Sequence, residues 1–399
     1  MRGRLWLAVI GLLFLGVAPA IASGADWSAW LYDAESGHLV LVAADGTAAS
    51  DLWVPLSQGF NQLPDNVAFS RSGALMAFVA TNTDTGERQL VVYDTSAQLQ
   101  KLLVNLPALD AHSLSYSGTA FNDNDTLLAF GHTPVNECWR IDVFDLASGS
   151  IAYTLLEEAT SAFEVIGDES QALTPVIQRF EGAQITFTLA GGEGQERYSS
   201  FTWDVVTSGL TPAPAYFKLD LDVFPPTGEL VFPTHEPDLA SSFAQGAQNN
   251  ALGVYDPDTN SAFPFYHDPE RSLFWPRFVQ NGERVFAAGL SAGSDAPGLF
   301  LIERDGTVIS AIGVPGITSV HGLSDGLIYT LEIPGEQGDS VSLIYANTRD
   351  SDSLENSTPV WTGAPNAEYR IVWARDRRQV EAASLMAWAQ LDEPERVGE

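Results

Sequence analysis

The chain has 399 residues, 45% of them apolar, with 51 acidic and 19 basic residues and a formal net charge of −32. A surface of this charge repels nucleic-acid phosphates and anionic lipid headgroups, which excludes both as partners. The only cysteine is Cys138. The chain therefore has no internal disulfide, and burial of apolar residues must hold the fold together.

The first 22 residues have the pattern of a secretory signal peptide. Arg2 and Arg4 precede an apolar run from Leu5 to Pro19, and Ala20-Ile21-Ala22 supplies a small-x-small cleavage site. The alternative is an uncleaved anchor, because the run approaches the roughly 18 residues at which a spanning helix becomes credible. We expect cleavage, which leaves residues 23–399 as a single secreted or periplasmic domain that does not insert into a membrane.

One short pattern recurs along the rest of the chain: a strand ending in an aromatic residue and an acid, then a tight turn. The copies follow one another at intervals of about 43 to 61 residues. This period in short strands is typical of a β-propeller, whose blades each contain four strands. We interpret the acids as turn-capping groups that accept hydrogen bonds from backbone amides two residues on. The copies end at Asp33, Asp94, Asp145, Asp204, Asp256, Glu303 and, without the acid, Tyr345.

The first full unit predicts its four strands most clearly. They are Asn66–Ser70, Ala74–Ala80, Arg88–Asp94 and Leu99–Leu103. The hairpin from Ala68 to Phe78 reads Ala-Phe-Ser-Arg-Ser-Gly-Ala-Leu-Met-Ala-Phe and resembles the first hairpin of WD40-like and TolB-like propeller repeats. The resemblance covers nearly the whole mature chain and implies an all-β propeller. Later copies of the hairpin begin at Phe121, Phe180, Phe224, Phe278, Leu323 and Trp373.

The two ends of the chain predict how the ring closes. Trp27–Asp33 and His38–Ala43 have the pattern of third and fourth strands, and Tyr369–Ala374 with Val380–Ala389 that of a first hairpin. Together they complete one blade, which leaves no sheet edge open at the seam. The sequence therefore predicts a seven-bladed propeller. The alternatives are six blades with a looser closure, or eight if Ser161–Gln178 contains another hairpin.

The inner strand of the third internal blade has two candidates, Phe163–Ile166 and Val176–Phe180. Both are short apolar runs, so periodicity alone does not separate them.

The sequence contains only weak matches to motifs for catalysis or metal binding. Gly289-Leu290-Ser291-Ala292-Gly293 matches G-x-S-x-G, but a strand follows where a nucleophile elbow needs a helix. The peptidases that combine a propeller with a hydrolase also need an α/β domain, which this sequence does not predict.

Asn122–Asp125 lacks the glycine and distal glutamate of a calcium loop, so we predict a turn. His132, Glu137 and Cys138 share one loop as candidate ligands of a soft cation. We expect no metal and no other cofactor.

Two segments, Thr234–Asn250 and Phe265–Trp275, are predicted to be long loops on the same rim. The first joins a second strand to a third, and the second joins two blades. Long ordered loops on a rigid scaffold often carry function. Trp275 has an alternative role, packing between blades. The candidate binding residues are His235, Glu236, Tyr266, His267, Asp268, Arg271 and Trp275.

Two functions are consistent with these patterns. The first is an exported, monomeric, non-catalytic scaffold that binds a protein, a polar small molecule or a glycan at the rim. The alternative is a glycoside or lactone hydrolase or lyase that uses carboxylates and histidines at the central channel. Propellers host both classes, so the fold does not decide between them. A pocket at the channel mouth, with several acids of shifted pKa, would favour the enzyme.

Overall fold

In a computed structural model, most of the described residues lie in β-strands. Its strands form seven antiparallel sheets, and the described residues contain only short 3-10 turns besides. None of the described segments is a helix long and apolar enough to cross a membrane. The predicted all-β, seven-bladed propeller is confirmed. The described residues are 26–33, 35–62, 67–82, 84–106, 118–134, 138–163, 173–190, 199–213, 221–224, 227–234, 249–291, 294, 297–335, 338–348 and 353–376.

The strands are numbered in chain order and grouped by blade. Blade 1 contains β1 (Trp27–Asp33), β2 (His38–Ala43) and β3 (Ala48–Trp53). Blade 2 contains β4 (Phe60–Gln62), β5 (Ala68–Phe69), β6 (Leu75–Asn82), β7 (Arg88–Asp94) and β8 (Leu99–Leu106). Blade 3 contains β9 (Thr119–Phe121), β10 (Leu127–His132), β11 (Arg140–Asp145) and β12 (Ser150–Leu156). Blade 4 contains β13 (Thr174–Glu181), β14 (Gln184–Ala190), β15 (Ser199–Asp204) and β16 (Leu210–Pro212).

Blade 5 contains β17 (Asp222–Phe224), β18 (Glu229–Thr234), β19 (Ala251–Asp256) and β20 (Ser261–His267). Blade 6 contains β21 (Arg271–Val279), β22 (Arg284–Ser291), β23 (Gly298–Glu303) and β24 (Val308–Gly313). Blade 7 contains β25 (Ile317–Gly322), β26 (Gly326–Ile333), β27 (Ser340–Asn347) and β28 (Ser357–Thr362). The last described strand, β29 (Tyr369–Asp376), returns to blade 1.

Each blade is ordered from an inner first strand to an outer fourth strand, and in blade 2 the two short strands β4 and β5 share the first position by pairing with the same edge of β6. This order divides the connections between two faces of the ring. We call the face with the connections from second to third strands and from blade to blade the upper face. The lower face carries the turns from first to second and from third to fourth strands.

The ring closes with three N-terminal strands and one C-terminal strand. β29 is the inner strand of blade 1, and it pairs antiparallel with β1, Asp376 opposite Trp27 and Tyr369 opposite Asp33. The predicted closure is confirmed, but β1 and β2 are the second and third strands, not the third and fourth. The proposed closing strand Val380–Ala389 lies outside the described residues.

The error in strand assignment arose at Asp33. Its turn joins β1 to β2 on the upper face, whereas the other acid turns join third to fourth strands on the lower face. The true equivalent in blade 1 follows β2: Gly46 N donates to Ala43 O at 2.9 Å, as Gly306 N donates to Glu303 O at 2.9 Å in blade 6. An aromatic residue and an acid before a tight turn therefore occur at both faces.

The aspartates at four lower-face turns cap them as predicted, namely Asp94, Asp145, Asp204 and Asp256. In blade 6 the cap is Asp305, not Glu303, because Asp305 Oδ1 accepts from Thr307 N at 2.9 Å. Asp145 Oδ1, for example, accepts hydrogen bonds from Ala147 N at 3.0 Å and Ser148 N at 2.7 Å. The bonds from Ser148, and then that from Ala147, lower the pKa of Asp145. Asp204 makes the same contacts with Val206 N and Thr207 N.

The described core residues form seven apolar clusters, of which six join neighbouring blades. The seventh lies on blade 5 and includes Ala213 and Leu221 from the connection that leads there from blade 4. This arrangement follows from the alternation of side chains along each strand, since both faces of a blade meet a neighbour. The inner strand of blade 4 is β13, which contains Val176–Phe180. Phe163 instead packs against the cluster between blades 3 and 4, and residues 164–166 lie outside the described part.

Carboxylates also fasten neighbouring blades near the lower face. Asp222 Oδ2 accepts a hydrogen bond from Phe278 N at 2.8 Å, and Asp376 Oδ2 accepts one from Ser324 N at 2.6 Å. Hydrogen bonds to charged acceptors are stronger than those between neutral groups. The second bond joins blade 1 to blade 7 and so supports the closure.

Candidate binding site

The two predicted rim segments lie side by side on the upper face. Asn250 O accepts a hydrogen bond from Asp268 N at 2.8 Å, and Asn249 O accepts one from Leu273 N at 2.6 Å. Residues 235–248 are outside the described part of the chain, and the candidates His235 and Glu236 fall there. The structure therefore brings the described ends of these segments together.

The segment Phe265–Trp275 is not a long loop. It consists of the end of β20, a turn at residues 268–270 and the start of β21. The expectation of an extended loop was wrong here because alternation of apolar residues continues on both sides of Asp268-Pro269-Glu270. His267 is exposed at the end of β20.

Tyr266, Asp268 and Arg271 form a compact polar cluster. Arg271 Nη1 donates to Asp268 Oδ2 at 2.5 Å, and Tyr266 Oη donates to the same oxygen at 3.3 Å. Burial acts to raise the pKa of Asp268, but the hydrogen bonds from Arg271, Glu270 N and Tyr266, together with the charge of Arg271, outweigh it and the pKa is lowered. Burial, and then the charge of Asp268, raise the pKa of Tyr266 to about 12. These groups satisfy one another, so the cluster stabilises the upper face.

Arg271 and Trp275 are also held by aromatic contacts. The Arg271 guanidinium lies 5.2 Å from the centre of the Phe300 ring, a cation–π geometry. Trp275 lies at a bulge of β21 with φ of 50°, and its ring meets Phe274 edge-on at 5.0 Å. It packs against the core cluster between blades 6 and 7. The packing role of Trp275 therefore agrees with the structure better than a fully exposed one.

A cavity of about 400 Å³ lies elsewhere on the upper face, at the seam between blades 7 and 1. Glu332 is at the end of β26, Asp339 is in the connection to β27, and Glu368 is in the connection to β29. All three carboxylates are exposed. The further lining residues are Thr318, Val341, Asn366, Ala367, Tyr369 and Arg370.

Sequence reasoning missed this cavity. The lining residues come from positions up to 52 apart, between Thr318 and Arg370, and no single loop among them is long. The available signal was the number of acids in the upper connections of blade 7, which include Glu332 and Asp339.

The cavity wall at Tyr369 is fixed by a chain of three side chains. The Tyr369 hydroxyl donates to His38 Nδ1, and His38 Nε2 donates to Asp51 Oδ1 at 2.5 Å. A carboxylate accepts, so His38 Nε2 carries a proton, and in that tautomer Nδ1 is left to accept from the Tyr369 hydroxyl. Burial, and then the charges of Asp33 and Asp51, raise the pKa of Tyr369 to about 12. Tyr369 is therefore a neutral hydrogen-bond donor, not a phenolate nucleophile.

Aromatic rings extend from this chain towards solvent. The Trp53 ring stacks on His38 at 4.5 Å, and its residue is 64% exposed. On the other side Trp361 meets Tyr369 edge-on at 5.1 Å. The seam therefore combines a polar cavity with an accessible aromatic surface, a combination that suits ligand recognition.

The lower part of the ring holds a different polar group, made by Arg277, His321 and Asp376. They lie on the consecutive inner strands β21, β25 and β29. Burial, and then the charge of Arg277, lower the pKa of His321 to about 4, although Asp376 acts in the opposite direction. Asp376 already holds the backbone of Ser324. The three side chains are therefore close enough to interact electrostatically, and Asp376 joins blade 1 to blade 7.

The weaker motifs have structural roles. Asn122 Oδ1 accepts from Thr126 N and Leu127 N, both at 2.9 Å, in the β9–β10 turn, as predicted. Ser291 ends β22, and the next strand, β23, begins seven residues later at Gly298. His132 pairs with Asp142 at 2.9 Å, and Glu137 lies outside the described residues. Among described side chains, no group of three or more His, Cys, Asp or Glu is placed to hold a metal ion.

Comparisons with known proteins bear on the fold alone. No family model matches the sequence, and no curated protein matches it. A structure from a study of two prolyl endopeptidases matches with a TM-score of 0.54 at 12% identity, over 88% of this chain and 50% of that one. Prolyl oligopeptidase B from Galerina marginata matches with a TM-score of 0.52 at 9% identity, over 86% and 52%.

TolB from Acinetobacter baumannii matches with a TM-score of 0.42 at 14% identity, over 71% of this chain and 62% of that one. The chain thus spans about half the length of the two peptidases and under two thirds of TolB. Identities this low carry a common architecture and no activity. The chain is a seven-bladed β-propeller, the fold that its TolB-like and WD40-like hairpins predicted.

Proposed function

We propose that this protein is an exported, non-catalytic β-propeller that binds a polar partner in the cavity between blades 7 and 1. The partner is a protein, a polar small molecule or a glycan, and it contacts the cavity through groups that donate hydrogen bonds or carry positive charge. The observation that supports this most is the set of three exposed carboxylates, Glu332, Asp339 and Glu368, around one concave site.

Electrostatics favour such a ligand. Three acids and one arginine line the cavity, and the whole chain carries a net charge of −32. Anions are therefore repelled at long range as well as at contact, whereas cations are attracted. The exposed face of Trp53 adds to this preference, because aromatic rings attract cations.

A binding role fits the neighbouring groups better than catalysis does. The raised pKa of Tyr369 keeps its hydroxyl protonated, and its bond to His38 positions the ring as a wall. The enzyme alternative would use His321 as a base, because its lowered pKa leaves the imidazole neutral at pH 7. The charges that act on His321 come from Arg277 and Asp376, which lie on the packed inner strands, so a role in the fold accounts for this histidine.

The proposal is tested by capture of partners from the native secretome, together with glycan and peptide arrays. The intact protein is compared with a Glu332→Gln and Glu368→Gln variant. A matched control, Glu87→Gln with Glu355→Gln, removes the same charge at exposed sites outside the cavity. We expect captured partners to be lost in the cavity variant alone. Equal capture by both variants would move the site elsewhere, and loss only in a Tyr266, His267 and Arg271 triple alanine variant would place it at the rim of blades 5 and 6.

A further inference from the structure

A second interaction surface is indicated on the outer wall of the ring. Among the strands that the structure describes, the outer strand of each blade has a sheet neighbour on one side only. Unpaired N–H and C=O groups along such an edge can pair with another strand, so proteins guard them with charges, prolines or covering segments. Most blades of this protein show one of these devices.

Five outer strands carry a guard residue. A sixth, β24, has no charge or proline, but a 3-10 turn at Leu354–Asn356 packs against it and Leu354 N donates to Ser310 Oγ at 3.0 Å. The five guard residues are Asp51 in β3, Lys101 in β8, Pro212 in β16, Pro264 in β20 and Pro359 in β28.

The outer strand of blade 3 has none of these protections within the described residues. β12 reads Ser-Ile-Ala-Tyr-Thr-Leu-Leu over 7 residues, without charge, proline or glycine. Ile151 and Leu156 are each 48% exposed and Tyr153 is 38% exposed. These values mark β12 as an apolar strand with an accessible edge.

The exposed side chains of β12 point to both faces of the sheet. Tyr153 lies opposite Val143, whose side chain belongs to the cluster between blades 3 and 4. After a bulge, Ile151 lies opposite Phe144, which belongs to the cluster between blades 2 and 3. A strand added beside β12 would therefore bury apolar surface on both of its own faces, as well as forming backbone hydrogen bonds.

Charge determines which strand fits. Asp145 precedes β12, and Glu157 and Glu158 follow it directly. Arg140, which lies opposite Leu156 on the neighbouring strand β11, is bound to Asp142 at 2.6 Å. Both ends of the edge are therefore negative, and a second copy of this acidic chain is repelled. An extended segment with basic flanks is attracted instead.

We propose that the β12 edge docks an extended, apolar segment of a basic partner protein as an added strand. This site is separate from the cavity at the seam of blades 7 and 1, and it does not depend on the function proposed for that cavity. It would allow the propeller to hold one partner on its wall while the upper face stays free.

A fluorescently labelled peptide tests the proposal by anisotropy. The probe alternates threonine and valine over about the length of β12 and has lysines at both ends, following the rule that strand addition needs alternating side chains. We expect saturable binding, weakened at least about tenfold by Ile151→Lys with Tyr153→Lys. Phe263→Lys is the matched control, because Phe263 is also 48% exposed on an outer strand, β20, that proline guards. It should leave the affinity within about twofold.

Three results would overturn the proposal. One is absence of binding by the lysine-flanked peptide, and another is equal binding by a peptide with central prolines or with glutamate flanks. The third is concentration-dependent self-association that the β12 variant abolishes, since this would identify a second copy as the occupant. Circular dichroism confirms that each variant keeps its sheet content, and exposed substitutions of this kind usually change stability by less than about 0.5 kcal/mol.

Discussion

Gly46 gives the sharpest test of how the ring closes. It lies in the turn between β2 and β3 with φ of 82°, and a Cβ there would meet the backbone oxygen of Val360 in blade 7 at 2.4 Å. The equivalent Gly306 would meet Phe265 O at 2.2 Å. These close approaches exist only if the turn is a third-to-fourth turn packed on the preceding blade.

Gly46→Ala should therefore destabilise the protein in two ways. A left-handed conformation costs an alanine about 1–2 kcal/mol, and overpacking against a backbone atom that cannot rotate away adds about 1–3 kcal/mol. The total is about 2–5 kcal/mol. Gly86→Ala is the control, because its φ is 73° and a Cβ there would meet nothing within 4 Å. Gly86→Ala should therefore cost only about 1–2 kcal/mol, from the left-handed conformation.

Urea unfolding followed by tryptophan fluorescence measures the difference in stability between the two variants. The midpoints can be compared directly when the free energy of unfolding falls equally steeply with urea in both. We expect Gly46→Ala to unfold at a clearly lower urea concentration than Gly86→Ala. Equal midpoints would refute the close contact between the two ends of the chain.

Three further predictions follow from other parts of the ring. In a Cys138→Ser background, Ala29→Cys with Ala374→Cys should form a disulfide, because these residues face each other across β1 and β29. The control pair, Ala43→Cys with Ala374→Cys, should not form one, and mass spectrometry under oxidising conditions distinguishes the two outcomes. His321 has a pKa of about 4 in the folded protein and about 6.5 when unfolded, so the unfolded state takes up its proton first as the pH falls. Stability from this group is thus complete above about pH 6.5 and lost towards pH 4, by up to about 3 kcal/mol. His321→Asn should make the urea midpoint depend less on pH across this range, and an unchanged pH dependence would contradict the burial of a neutral imidazole. Arg271→Ala should cost about 1–3 kcal/mol, because it leaves the buried Asp268 without its charged partner; Arg375→Ala, at an exposed arginine, is the control, and equal melting temperatures would show that the cluster does not stabilise the upper face.

Much of the fold could be predicted because each blade repeats the same local physics. Apolar alternation, a tight turn and an acid that caps it are all encoded within about ten residues, as at Asp94 and Asp145. The strand assignment at Asp33 failed because a capped tight turn looks the same on either face. Only pairing with β29, which is more than 330 residues away, shows which face it occupies.

The candidate site was harder to predict for the same reason. Tyr266, Asp268 and Arg271 are close in sequence, so their proximity was predictable, but their mutual hydrogen bonds were not. The cavity at the seam joins Glu332 and Asp339 to Glu368 only after the ring has closed. His38 and Asp51 support Tyr369 from the opposite end of the chain, and no local pattern relates them.

The most direct test of the proposed binding site is isothermal titration with three peptides that differ only in one central residue: arginine, glutamine or glutamate. We expect the arginine peptide to bind best and the glutamate peptide worst, with the difference removed by Glu332→Gln and Glu368→Gln but kept by Glu87→Gln and Glu355→Gln. A preference for the glutamate peptide, or an order of affinities that the cavity variant leaves unchanged, would contradict a site built from these carboxylates.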